Sequence, residues 1–193
     1  MEAQAMEKKT RVAMNGVNVP TLAATLGVVE QQRELARFTF RTKGTWIAGT
    51  HSRAEFTTFR GAGAEQQHSR MQAIDGDHPA VLCGEDNGPT PVEMLLAGLS
   101  ACITAGIGNI ASMRQIRLHS VETMIEGDID LQGIFGMNDE VRNGFSGIRA
   151  TFRISGDASD EMLEKVVRQA IARSAVFDVL SNGVPVSVNA VAA

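Results

Sequence analysis

Apolar residues recur along this chain with two different periods. From Val19 to Arg33 (VPTLAATLGVVEQQR), Leu22, Leu26 and Val29 fall three and four residues apart, which predicts a short amphipathic helix. Residues 1–16 ahead of it read as a polar tail. From Ala36 the period changes. FTFRTKGTWIAG and RAEFTTF are rich in β-branched and aromatic residues, and Gly49-Thr50-His51-Ser52 between them predicts a hairpin. GAGAEQQH reads as loop and SRMQAID as a third strand, while HPAVLCGEDNGPTP is a run of turn formers.

A long helix follows, with a well-marked start. Thr90 is a good N-cap, Pro91 suits the first helical position, and Glu93 stands three residues after the cap, which makes a capping box. The helix is expected to run to about Arg114. After Gln115, IRLHSVETMIEGDIDL alternates as a strand and IRATFRI does the same, with GIFGMNDEVRNGF as loop between them. ASDEMLEKVVRQAIAR predicts a second helix, capped by Ser159, with Met162, Val166, Ala170 and Arg173 on its period. SAVFDVLSNG reads as a short helical turn, with Ser174 as a cap or turn hydroxyl, and VPVSVNAV as a closing strand. Strands and helices come in runs rather than in strict alternation, so the fold class is α+β, not a doubly wound sheet. No repeat or composition break marks a linker. The expected organisation is a tail and short helix over 1–35, then one domain over 36–193.

Composition narrows the function classes. Hydrophobic residues make up 44% and charged residues 21%, as in an ordinary globular protein, and the net charge is −4. A chain that bound nucleic acid through its phosphates would be basic, so nucleic acid is not an expected partner. MEAQAMEKKTR has no apolar run behind its charges and does not read as a secretory leader, so a cytoplasmic location is expected. Cys83 and Cys102 are the only cysteines, too few for a disulfide scaffold, and free thiols are the default. His51, His68, His78 and His119 have no ligand spacing, so neither a metal nor another cofactor is expected.

Met94 to Met113 is apolar and about as long as a membrane span, but it carries Gly98, Gly106, Gly108, Ser100, Thr104 and Asn109. A buried helix of a chain with no membrane partner fits it better. Each glycine costs about 1 kcal/mol of helix propensity against alanine, which close packing by another backbone would offset. Apolar side chains surround this helix almost completely, and one layer of sheet cannot cover it. A second copy of the chain can, so a homodimer is expected.

GEDNGPTPVEMLLAGLSACITAGIGNIASMRQIRL resembles the signature of the OsmC/Ohr family (osmotically inducible protein C and organic hydroperoxide resistance proteins), in which a buried helix ends in an Ala-Cys pair. EGDIDLQGIFGMNDEVRNGF and SAVFDVLSNGVPVSV resemble the family's later segments, so the likeness covers about residues 36–191. It implies an intertwined homodimer with two long central helices flanked by six-stranded sheets. It also implies active sites at the subunit interface, where a thiolate attacks an organic hydroperoxide and becomes a sulfenic acid. A second cysteine then closes a disulfide, which a thiol reductant reopens.

Carried onto this chain, the attacking cysteine falls on Cys102 and the resolving position on Ser174, which cannot form a disulfide; Cys83 or an external thiol would have to serve. The family's glutamate lies ten residues before the cysteine, here Val92. Glu93 is one place off, and nine residues at about 100° each set it on the opposite helix face from Cys102. The thiol-activating arginine corresponds to Leu82 by one placement and to Arg53 by the other, so the catalytic candidates are Cys102 and Arg53. Two readings stay open. One is a diverged thiol-dependent organic hydroperoxide reductase. The other is a non-catalytic dimer that binds an apolar small molecule in a pocket beside Cys102, which could equally be a small buried hydrophobe.

Overall fold

The computed structural model describes residues 13–192, so most of the expected tail lies outside the described residues. Two compact units form, one from Asn18–Leu95 and one from the described residues before Asn18 together with those from Leu96 onward.

In the first unit, α1 (Val19–Gln31) is the predicted short helix, capped by the Asn18 side chain and followed by a 3-10 turn over Arg33–Ala36. The β-formers beyond it make an antiparallel sheet of β1 (Thr39–Phe40), β2 (Lys43–Ala48), β3 (His51–Gly61) and β4 (Ala64–Gly76). β3 is central, pairing with β1 and β2 along one edge and with β4 along the other. The β2–β3 hairpin forms as expected. GAGAEQQH, expected as loop, is instead a two-residue turn and the first half of β4. Ala62 and Gly63 take φ of +49° and +79°, the double left-handed geometry that matches strand twist. Glu65, Gln66 and Gln67 are poor strand formers, but the ladder to Arg60, Phe59 and Thr58 holds them extended.

A buried carboxylate organises the loop after β4. Asp77 is 1% exposed and accepts from the Thr50 hydroxyl (2.5 Å), the Asn87 side-chain amide (2.8 Å) and the backbone N–H groups of His78, Glu85 and Asn87 (2.8, 3.2 and 3.1 Å). The Thr50 hydroxyl most of all, with these other donors, holds its pKa far below the usual carboxylate range despite burial. The loop therefore hands on to the next helix with its backbone tied down.

α2 (Pro91–Met113) starts at the predicted capping box: Thr90 N–H donates to Glu93 Oε2 at 2.8 Å and Glu93 N–H to Thr90 Oγ1 at 3.3 Å. It ends one residue before the expected Arg114, by a closure that the sequence does not announce. Gln115 adopts φ +59°, with Ile116 N–H bonded to Ala111 C=O and Gln115 N–H to Ser112 C=O, a Schellman closure without glycine. The segment expected as polar tail completes this end. Asn15 donates to Ile116 C=O (2.9 Å) and to Ser112 Oγ (3.1 Å), and accepts from Leu118 N–H (2.9 Å).

In this second unit β5 (Leu118–Asp128) and β6 (Gly147–Gly156) pair antiparallel, and α3 (Leu131–Ile134) is a single turn between them. Asp130, expected on the strand beside Asp128, instead caps α3 by accepting from Gln132 N–H. α4 (Asp160–Ile171) is capped by Ser159, and α5 (Ala175–Asn182) by Ser174. The buried face of α4 is Leu163, Val166 and Ala170, with Met162, expected inside, 38% exposed. That face meets Leu99, Ile103, Ile107 and Ala111 of α2 and Ile116 in one core. Full burial of each large aliphatic side chain contributes about 1.5–3 kcal/mol. A methyl on Gly106 would sit 3.2 Å from Ala170 Cβ, so this glycine admits α4 closely, as its presence in a helix predicts.

Within the single chain one side of α2 has no cover, and one expected strand does not form. Gly98 and Gly108 have nothing within 4 Å, and α2 is buried along one side rather than all round. VPVSVNAV forms no strand; Val184, Val186, Val188 and Val191 are 56%, 79%, 86% and 90% exposed. Its alternation is real, but it has no ladder to join among the described residues.

Ile107, wholly buried between α2 and α4, sets a stability test: Ile107→Ala is expected to cost about 2–5 kcal/mol in urea denaturation. Asp77 sets another. A depressed carboxylate pKa stabilises above the unfolded value near 3.9 and is lost as pH falls through the folded one. Acid unfolding of Asp77→Asn, followed by circular dichroism, should therefore show a weaker loss of stability below about pH 4 than the parent chain.

Candidate active site

Cys102 lies in the middle of α2, between buried Leu99 and Ile103 on the helix surface, and is itself half-buried. It is the only cysteine of its unit. The partner that folding brings to it is the start of α5, which is seated on the core through Val176 and Leu180. Ser174, the N-cap of α5, is 5% exposed and accepts from Phe177 N–H at 3.1 Å. The first N–H groups of a helix lack partners within it and carry the positive end of its dipole, so they favour an anion beside them.

Burial alone pushes the Cys102 thiol pKa up. The Ser174 hydroxyl, then the N–H groups of Val176 and Ala175, outweigh it, and the pKa falls below that of an ordinary thiol. The donors therefore favour the charged form of this sulfur more than its burial disfavours it. No charged side chain is among the groups that lower the pKa.

Arg53 stands on β3 in the other unit, directly opposite Asp75 in the ladder. Its guanidinium grips that carboxylate by two bonds, Nε to Oδ1 at 3.1 Å and Nη2 to Oδ2 at 2.9 Å, and His51 Nε2 lies 2.8 Å from Oδ1. Arg53 first, and His51 after it, lower the Asp75 pKa. Asp75 was not singled out in the sequence; the register of the β3–β4 hairpin is the signal that finds it. Cys83 ends the 3-10 turn Ala80–Leu82 at φ +65°, with its side chain exposed. Glu93 keeps to the capping box. Among the described residues no group of three His, Cys, Asp or Glu side chains could hold a metal ion. A groove of about 350 Å³ crosses β5 and β6, lined by Glu122, Thr123, Met124, Thr151 and Arg153, and Cys102 does not line it.

A family model described as OsmC-like protein matches residues 84–189, the stretch that holds both α2 and α5. The chain belongs to the OsmC-like family. No curated protein sequence matches this OsmC-like chain. Solved structures do. It is similar to an OsmC-like protein from Mycoplasma pneumoniae at TM-score 0.56 and 16% identity, over 75% of this chain and 88% of that one. It is also similar to an organic hydroperoxide resistance protein OsmC from Legionella pneumophila, at TM-score 0.51 and 18% identity, over 75% and 91%. An OsmC-like protein from Vibrio cholerae matches at TM-score 0.51 and 16% identity, over 74% and 93%. Identities this low carry the fold, which is the α+β class expected from the order of strands and helices.

The donors around Cys102 make a direct prediction. In a Cys83→Ser background, the pH midpoint of iodoacetamide alkylation should lie below that of a free cysteine, near 8.5. Adding Ser174→Ala should move the midpoint upward and slow alkylation at neutral pH, read by intact mass.

Proposed function

We propose that this OsmC-like protein is a thiol-dependent organic hydroperoxide reductase acting through Cys102. The observation that carries this reading is the Ser174 hydroxyl and the α5 N–H groups gathered at one half-buried sulfur. A cysteine kept only as a small hydrophobe needs no such donors. The thiolate attacks the outer oxygen of the hydroperoxide, the O–O bond breaks, and the alcohol leaves after taking a proton. Cys102 is left as sulfenic acid, which a thiol reductant returns to the thiolate. Arg53, kept in orientation by Asp75, is proposed as a second aid to catalysis.

The working form we propose is a homodimer with the α2 helices at its centre. Ala97, Ala101 and Ala105 form an exposed stripe at four-residue spacing, and Gly98 and Gly108 are open on the same helix. Small residues at this spacing let two helices approach closely. The unpaired valines of 184–191 and the separate four- and two-stranded sheets are consistent with strands completed by a second copy. Cytoplasmic location and an apolar hydroperoxide as substrate belong to the same proposal.

The purified protein should consume cumene hydroperoxide with a dithiol reductant and run as a dimer in light scattering. Cys102→Ser should abolish turnover, Arg53→Ala should lower it, and Ala101→Arg should shift the dimer toward monomer. Turnover unchanged in Cys102→Ser would sink the reading.

A further inference from the structure

The Arg53 side chain is half exposed, and a lone charge pair at such a position holds its arginine weakly, because water competes for both partners. The surroundings of Asp75 supply more than a lone pair. His51 and Arg53 stand two residues apart on β3, so both side chains leave the same face of the sheet. Arg53 is directly opposite Asp75 in the ladder, and His51 reaches the same carboxylate diagonally. The Asp75 backbone is fixed as well. A Cβ on Gly88 would lie 2.1 Å from the Asp75 carbonyl oxygen, so the segment leading into α2 is packed against it. β4 ends at the next residue, and Asp77 beyond it is tied to Thr50.

Oδ1 of Asp75 is shared. It accepts from Arg53 Nε at 3.1 Å and lies 2.8 Å from His51 Nε2, while Oδ2 accepts from Arg53 Nη2 at 2.9 Å. An ionised carboxylate only accepts, so the proton between Asp75 and His51 belongs to Nε2. In the neutral ring Nδ1 is then a bare lone pair. It makes no hydrogen bond among the described residues, where no buried side-chain nitrogen or oxygen is left unpartnered, so Nδ1 is open to water and to a proton. The other charge close to Arg53 is Glu55, two residues further along the same face of β3, with Lys43 opposite it on β2. Thr45 and Ala48, the β2 residues opposite Arg53 and His51, are uncharged. Asp77 is occupied by Thr50, Asn87 and loop N–H groups.

We infer that His51 is a positioning residue for Arg53, and that a proton taken up at its Nδ1 loosens Arg53 from Asp75. The inference rests on the part proposed for Arg53 in the reductase and adds the group that controls it. With His51 neutral, one carboxylate charge is answered by one guanidinium charge, and the ring N–H completes the shell of Oδ1. With His51 charged, two cations share one carboxylate through a common oxygen. They repel each other, and the imidazolium makes the stronger bond to Oδ1 because its donor now carries charge. Arg53 is the most exposed of the three side chains, at 50% against 20% for His51 and 27% for Asp75, so it is the one that yields. Nε loses its share of Oδ1, and the two-bond grip becomes a single bond through Nη2. Acid therefore frees Arg53 and neutral pH holds it.

The test follows the Arg53 Nε–H resonance of the full chain by NMR, assigned with Arg53→Lys, from about pH 5 to about pH 7.5, within the range where an imidazole changes charge. A single step in that resonance is expected in the parent chain. None is expected in His51→Gln, whose amide can still donate to Asp75 but takes no proton. His51→Leu, which cannot donate, should show the loosened signal at every pH. A step that persists in His51→Gln, or a resonance that stays still in the parent chain, would overturn the inference. Turnover of cumene hydroperoxide gives a second readout, taken as the ratio of His51→Gln to parent so that the titration of Cys102 cancels. That ratio should be near one at the upper end of the range and rise roughly two- to fivefold at the lower end, the weight of one exposed charge pair. A flat ratio beside the expected step would overturn the link between the hold on Arg53 and catalysis. The expected step in a chain without turnover at any pH would overturn the reductase reading and leave His51 as the residue that holds Arg53.

Discussion

The packing of α2 against α4 is the constraint on which the second unit depends. Leu99, Ile103, Ile107 and Ala111 form one stripe of α2, and Leu163, Val166 and Ala170 form the matching stripe of α4. Gly106 lets the two backbones close at Ala170. Interiors at crystal-like density tolerate little adjustment, so this contact sets where α4 ends. The chain then turns at Arg173 and starts α5, whose first residues arrive at Cys102. The surroundings of Cys102 are in this sense a by-product of core packing. Cys102 sits one residue from the buried stripe, and the groups that lower its pKa sit at the first turn available after the partner helix stops.

The downward shift of the Cys102 pKa draws on backbone groups and one hydroxyl rather than on a neighbouring cation. A helix N-terminus supplies N–H groups that have no other partners, and their geometry is held by the helix itself. Ser174 adds a third donor and anchors it by capping the same helix, since its oxygen takes the Phe177 N–H. Burial opposes the charged form of the sulfur, these fixed dipoles favour it, and the net shift is downward. The Arg53–Asp75 pair in the strand-rich unit is a different device, a charge pair whose guanidinium is already occupied by two bonds.

The single chain leaves surfaces unused. Ala97, Ala101 and Ala105 are exposed on a helix that is otherwise apolar, and the C-terminal valines stand free in an alternating run. Both patterns are those of buried elements, and both are uncovered when one copy of the chain is considered alone. These are the surfaces that the proposed homodimer would cover.

Much of this was legible in the sequence because it depends on near neighbours. The Thr90–Glu93 capping box, the Ser159 and Ser174 caps, the β2–β3 hairpin and the extents of α2, β5 and β6 are set by residues within a turn or a strand of each other. The family could be read from the α2 segment for the same reason. Tertiary contact decided the rest. Polar residues 65–67 become strand because β3 pairs with them, and Gln115 closes α2 in a left-handed conformation because Ile116 is buried and Asn15 bonds beside it. The valines at the C-terminus satisfy the local pattern for a strand and still form none, since a strand needs a partner edge that its own sequence cannot supply. Cys102 shows the same division. Its place on the helix follows from the chain, but the direction of its pKa shift depends on Ser174, Ala175 and Val176, more than 70 residues away, because a thiol pKa is fixed by whatever dipoles surround it in space.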